Sequence, residues 1–265
     1  MITMGSIRHS LSDIGRTVVM AENIWLLAWE DTQDRYRRSA LGPIWMALSL
    51  GVGAAALGFL YSKVLRQPIN EYIPFITATL FVWFFFVNCI SESTSAFAAG
   101  GAMIKNSNQP LYLHVTRVIV RNVIVLIHTI PVLLFVIIYF KLLGKVHLGE
   151  ALLGFSLLML NMNWLCFVFA ILGARFRDVP YVVAYVLQFF MFVSPIFWSP
   201  AMLEKAGWFV DFNPIFHWIV VVRDPILGNP MPMNSVIFCL VTGVVGSLAA
   251  VLAFAGARSR IAFWV

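Results

Sequence analysis

Six runs of the 265-residue chain are free of Asp, Glu, Lys and Arg: Ser39–Ser62, Tyr72–Ser91, Asn122–Phe140, Ala151–Ala174, Val179–Leu203 and Pro225–Ala257. A hydrocarbon core of about 30 Å takes about 20 apolar residues per helical crossing, so each run is long enough to cross. The last is too long for one span and holds Pro225, Pro230 and Pro232 in its first part, which predicts a helix from near Val236. The pattern predicts an all-α integral membrane protein with six transmembrane helices. A segment of residues 1–38 precedes the transmembrane domain, residues 39–265. An even number of spans puts both termini on one side.

Three stretches outside the spans carry patterns of their own. In Ser12–Arg38, Ile14, Val18, Ala21, Trp25 and Ala28 recur at helical spacing behind a Ser12 or Asp13 cap, which predicts an amphipathic interface helix ending on Arg35, Tyr36, Arg37 and Arg38; an orientation signal with no further role is the alternative. Gly100–Arg121 joins a polar turn, with Gly100, Gly101, Asn106, Ser107, Asn108 and Pro110, to a helical stretch carrying His114, Arg117 and Arg121. It reads either as a surface that another protein grips or as a solvated loop before a span that starts early. In Met202–Asn229, the uncharged stretch Phe212–Val222 covers only about half of the hydrocarbon at ~1.5 Å per residue. Asn213-Pro214 and Arg223-Asp224-Pro225 bound it. Re-entrant half-helices dipping in from the outer face fit this pattern; an amphipathic helix resting on the outer leaflet is the alternative.

Composition narrows the class. With 61% hydrophobic and 11% charged residues and a mean hydropathy of +0.88, the chain has too little charge to wet a soluble surface and too much apolar content for disorder. The net charge of +6 fits the positive-inside rule better than nucleic-acid binding. With a cytoplasmic N-terminus, only Lys63, Arg66, Lys141, Lys145, Lys205 and Arg223 fall outside, and the other twelve of the 18 Lys and Arg fall inside. Arg8, Asp13, Arg16 and Glu22 precede any long apolar run, so no cleavable signal peptide is expected. Cys89, Cys166 and Cys239 lie in apolar stretches without metal spacing and read as reduced packing residues.

Motif chemistry is missing. The Gly144-Lys145 pair has Tyr139 where a phosphate loop needs its first Gly and Val146 where it needs Ser or Thr. No catalytic residues, metal site or cofactor are expected on this chain. His128, the one ionisable side chain near the middle of a run, reads as hydrogen-bonded to a neighbouring helix rather than catalytic or proton-carrying, and Glu92 lies at the cytoplasmic end of its span.

Several segments together resemble the permease subunits of ABC-type polysaccharide exporters. Arg35, Arg37, Arg38, Ser39, Leu41, Gly42, Pro43 and Trp45 resemble the family's approach to its first span. Arg175, Arg177, Asp178 and Val179 resemble its short connection between spans four and five. Asn213-Pro214 leading to Arg223 and Ile226-Leu227-Gly228 resembles the hairpin before its last span, and Arg260-Ile261-Ala262-Phe263-Trp264-Val265 its C-terminal ending. The closest resemblance is to membrane subunits exporting O-antigen, capsular polysaccharide or teichoic acid. It implies a homodimer in the bacterial inner membrane with two copies of a separate nucleotide-binding subunit that holds ATP and Mg. It also implies an interface helix before the first span, a coupling helix between spans two and three, and outer-face gate helices between spans five and six.

On that resemblance the cargo is a lipid-linked polysaccharide. Asn106, His114, Arg117, Arg175, Arg177 and Asp178 are the expected ATPase contacts. Asn213, Pro214, Phe216, Trp218 and Arg223 are the expected outer gate, and Arg35, Arg37 and Arg38 the expected attraction for a lipid pyrophosphate. Aromatic rings pack on sugar C–H faces while allowing sliding, which nominates Trp45, Phe59, Tyr61, Trp83, Phe86, Tyr181, Tyr185 and Phe189 as channel residues. Lipid-facing and interfacial packing is the competing reading of the same rings. The rival functions are an exporter of a drug or simple lipid and an ATP-independent membrane carrier.

Overall fold

A computed structural model describes residues 4–37, 39, 41–42, 44–200 and 207–265. The described residues form helices and no strand: α1 (Met4–Val19), α2 (Ala21–Tyr36), α3 (Ile44–Val64), α4 (Ile69–Ser93), α5 (Ala96–Ala99), α6 (Gly101–Asn106), α7 (Tyr112–Tyr139), α8 (Leu148–Arg175), α9 (Val179–Val193), α10 (Gly207–Asp211), α11 (Pro214–Ile226) and α12 (Met233–Trp264). By length and composition α3, α4, α7, α8 and α12 can cross a bilayer. α9 falls short of the expected fifth run. Ser194 is extended, as a residue before proline prefers, and ends the helix after about 22 Å of rise. α12 starts at Met233, directly after Pro232 and slightly ahead of the expected Val236.

The long helices pack around α4, whose middle is buried on almost every side, with α3, α7, α8 and α11 against it. α8 also carries α11 and α12. Missing Cβ atoms allow these close approaches. A Cβ at Gly154 would strike the Val221 carbonyl of α11, and one at Gly173 would strike the Thr94 carbonyl after α4. Gly243 and Gly246 of α12 receive Leu160 and Trp164 of α8, while Gly51 of α3 faces Val132 of α7. Gly173→Val should therefore lower the melting temperature of the purified protein, overpacking costing on the order of 1–3 kcal/mol. Gly53→Ala, with nothing within 4 Å of the new Cβ inside α3, should not lower it.

The N-terminal segment differs from its expected form. It is two helices, broken at Met20, and its buried faces are Ser10, Asp13 and Thr17 of α1 and Ile24, Ala28 and Thr32 of α2. Val18 and Trp25, placed on the apolar face by periodicity, are exposed. The small polar residues are buried because Ser10, Thr17 and Thr32 turn their hydroxyls back onto carbonyls one turn earlier, which satisfies them without water.

Within Gly100–Arg121 the short helix α6 and a non-helical connection precede the start of α7 at Tyr112. α5 and α6 are short, and α7 runs on from Tyr112, so Arg117 and Arg121 belong to a long helix rather than a separate one.

Candidate functional site

The ends of α2 and α4 and the start of α7 meet in a five-charge network. Asp31 of α2 takes a forked pair from Arg117, with Nε to Oδ2 at 2.7 Å and Nη2 to Oδ1, and a third bond from Arg121 Nη1 at 3.1 Å. Glu92 at the end of α4 accepts from Arg121 Nη2 at 2.6 Å, Arg35 Nη2 at 2.8 Å and Asn122 Nδ2 at 2.9 Å. Three guanidinium groups against two carboxylates leave a surplus of one positive charge. Forked charge-assisted bonds of this kind fix geometry as well as contributing energy. Burial pushes the Tyr36 phenol of α2 above its ordinary value; the Arg35 charge opposes this and Glu92 adds to it.

α1 is tied to the same end. Asp13, buried within α1, accepts from the Tyr112 backbone N–H at 3.2 Å and from Arg258 of α12 at 3.2 Å. It caps a helix as expected of its residue type, but the helix is α7 rather than its own. Arg16 reaches the Asn108 carbonyl at 2.9 Å. Around this end lie α6, whose Gly101 abuts Val265, and the α8–α9 turn, whose Arg175 guanidinium sits 5.9 Å from the Trp264 ring and 5.0 Å from Phe176. A cavity of about 280 Å³ opens between the network and α5, lined by Asp31, Glu92, Ser95, His114 and Arg117 among others.

The residues expected to contact an ATPase divide on this geometry. Asn106, Arg175, Arg177 and Asp178 are exposed. His114 is buried, edge-on to Phe97 and against Gly100, and Arg117 is spent on Asp31. Both therefore brace the segment from behind. Of the expected pyrophosphate cluster, Arg35 is held by Glu92 and Arg37 is exposed near Asp34, while Arg38 lies outside the described residues, as does Pro43.

The aromatic set divides as well. Tyr181, Tyr185 and Phe189 share the open face of α9, with Tyr185 74% exposed, and Trp45 and Phe59 are open on α3. Tyr61 stacks on Phe197 at 5.4 Å. Trp83 and Phe86 are core residues, 2% and 5% exposed, stacked on each other, with Phe86 also against Trp218. In this arrangement they face helices and not a passage.

Of the segment expected as an outer gate, residues 202–206 lie outside the described residues, and α10 and α11 form within the remainder. Asn213 caps α11 by accepting from the N–H groups of Ile215 at 3.1 Å and Phe216 at 3.3 Å, with Pro214 at the first helical position. Its amide donates to Ser194 Oγ at 3.0 Å, which ties α11 to the end of α9. The helix runs through Arg223-Asp224-Pro225 to Ile226 instead of stopping before them. Arg223 is buried, paired with Asp224 at 2.9 Å and lying 4.7 Å over the Phe75 ring. Phe216 is half-buried and Trp218 is buried against α4.

His217 lies inside Phe212–Val222, a stretch that a count of Asp, Glu, Lys and Arg reads as uncharged. One ring nitrogen lies 2.8 Å from Ser235 Oγ and the other 2.8 Å from the Asp211 carbonyl, and the ring stacks on Phe238. It joins α10, α11 and α12. A histidine one turn into the apolar stretch Ile215–Val222 is its signal in the sequence.

The family model described as "ABC-2 type transporter" matches residues 22–227. The chain is 23% identical over 238 residues to "O-antigen export system permease protein RfbA" of Klebsiella pneumoniae, covering 88% of this chain and 91% of the relative. It is 22% identical over 184 residues to a protein of the same name from Myxococcus xanthus, covering 68% of this chain and 70% of the relative.

Proposed function

The chain belongs to the ABC-2 type transporter family, and from that premise we propose that it is the transmembrane subunit of an ATP-driven exporter of O-antigen-type polysaccharide carried on a lipid. The observation that carries this reading is the match to permeases named for O-antigen export along most of the length of both chains. Two copies form the pathway in the bacterial inner membrane, with both termini cytoplasmic. ATP and Mg bind two copies of a separate ATPase, in keeping with the absence of a phosphate loop in this sequence. α9, continued by the segment after Val193, serves as the sixth crossing, and α10 and α11 serve as the outer gate.

The exposed set Asn106, Arg175, Arg177 and Asp178 suits contact with the ATPase, and Arg117 and His114 hold the contacting segment in place. Movement there would reach α2, α4 and α12 through Asp31, Glu92 and Asp13, because charged partners that are partly out of water resist separation. The aromatic face of α9 suits a sliding glycan.

The test is co-expression with the partner ATPase, measuring whether lipid-linked glycan raises ATP hydrolysis. Arg177→Glu should remove the stimulation while leaving membrane abundance and melting temperature unchanged, since Arg177 is exposed and forms no ion pair among the described residues. A wild-type complex indifferent to every lipid-linked glycan would reject polysaccharide as the cargo.

A further inference from the structure

The interior of α4 has one window. From Tyr72 to Ser93 only Phe84 and Asn88 are exposed, four residues apart and so on one face of the helix. They open into a groove of about 290 Å³ between α3, α4 and α7, with Trp45, Ser49, Asn122 and Thr129 on its other walls. The groove lies toward the end of the bundle that carries Glu92, one helical turn beyond Asn88.

Its polar groups are unevenly satisfied. The Ser49 and Thr129 hydroxyls donate to the Trp45 and Leu126 carbonyls, both at 2.7 Å. Asn122 uses its amide nitrogen on Glu92 and the Val118 carbonyl, which leaves its oxygen as an acceptor. The Asn88 side-chain amide makes no hydrogen bond among the described residues, and neither does the Trp45 indole N–H. An amide within a membrane-spanning helix is costly unless something pairs with it. The Trp45 and Phe84 rings flank these groups without stacking on any other described ring.

We propose that this groove is a binding site for a single sugar ring bearing an alkyl chain, held by Asn88 and packed on Trp45 and Phe84. The ring's hydroxyls supply both the donor and the acceptor that a carboxamide needs. Its C–H face suits an aromatic wall. Ligand pockets for drug-sized molecules begin at roughly 300 Å³, so the volume suits one ring rather than a chain of them, while the apolar walls suit the tail. The choice of a sugar rests on the polysaccharide reading given above, and it deepens that reading by placing a recognition step on α3 and α4, away from the α9 stripe.

The full chain is purified in a sugar-free ether detergent, titrated with decyl-β-glucoside, and the retained glucoside counted by native mass spectrometry. Wild type should retain one glucoside per chain at a concentration about tenfold lower than Asn88→Leu, the loss expected for a pair of neutral hydrogen bonds. Trp45→Leu, on a different helix and at an exposed position, should show the same loss and serves if the first variant folds poorly. Equal retention by wild type and both variants would mean that the groove holds acyl chain alone and would overturn the site. Discrimination by Asn88 without glycan-stimulated ATP hydrolysis would leave the site standing and reject the export reading. Stimulated hydrolysis without such discrimination would reject the site alone.

Discussion

Arg121→Glu is expected to abolish export and to reduce the amount of folded protein. Among the described residues Arg121 alone bonds to both carboxylates of the network, Asp31 at 3.1 Å and Glu92 at 2.6 Å, and its side chain is only 17% exposed. The change would leave three carboxylates together with Arg35 and Arg117 on the flanks. Breaking a fully buried pair costs about 3–5 kcal/mol, while an exposed one costs less than about 1 kcal/mol. A cluster between these limits should lose on the order of 2–3 kcal/mol. Melting temperature in detergent and membrane abundance check the prediction. Arg121→Lys keeps the charge but loses the fork that spans two acids, so it should fall between wild type and Arg121→Glu. Lost export with an unchanged melting temperature would instead place Arg121 on a contact surface.

The network shows where reading the chain alone stops. Uninterrupted apolar runs located the long helices well, because a hydrocarbon solvent imposes a length that composition reveals directly. They did not show that Arg117 points inward, since its partner Asp31 is 86 positions away and Arg121's partner Glu92 is 29. The same limit affects α1, where Asp13 caps α7 across 99 positions. Periodicity assigns Val18 and Trp25 to the packed face, but the face that packs is the one whose small polar residues satisfy themselves locally. α9 ended early for a reason visible in the sequence, Ser194-Pro195, which the absence of charge across the run concealed.

The aromatic residues expose a deeper ambiguity. In water, hydrophobicity separates core from surface; in lipid both are apolar, and packing between helices has no hydrophobic driving force to mark it. Trp83 and Tyr185 therefore look alike in the sequence, yet the first is enclosed by α4's neighbours and the second projects from α9. The difference lies in how much of each helix its neighbours cover. α4 is surrounded, whereas α9 touches little beyond α4 and α8 and buries only Val183 and Leu187.

Replacing Tyr181, Tyr185 and Phe189 together with alanine should accordingly slow export by at least about tenfold while shifting the melting temperature by no more than about 2 °C. Stacking of a ring on a polymer unit contributes about 1–3 kcal/mol, so three such contacts exceed the ~1.4 kcal/mol that a tenfold change requires. Exposed substitutions that disturb no packing usually cost less than about 0.5 kcal/mol, and all three rings are more than half exposed. Export is read by glycan transfer in vesicles containing the permease with its ATPase, and assembly by the size of the purified complex. Were the complex to fall apart with export, the stripe would be the seam between two copies rather than a wall against the glycan. Were neither to change, the rings would face lipid, since the acyl chains that replace their contacts are as apolar as the rings themselves.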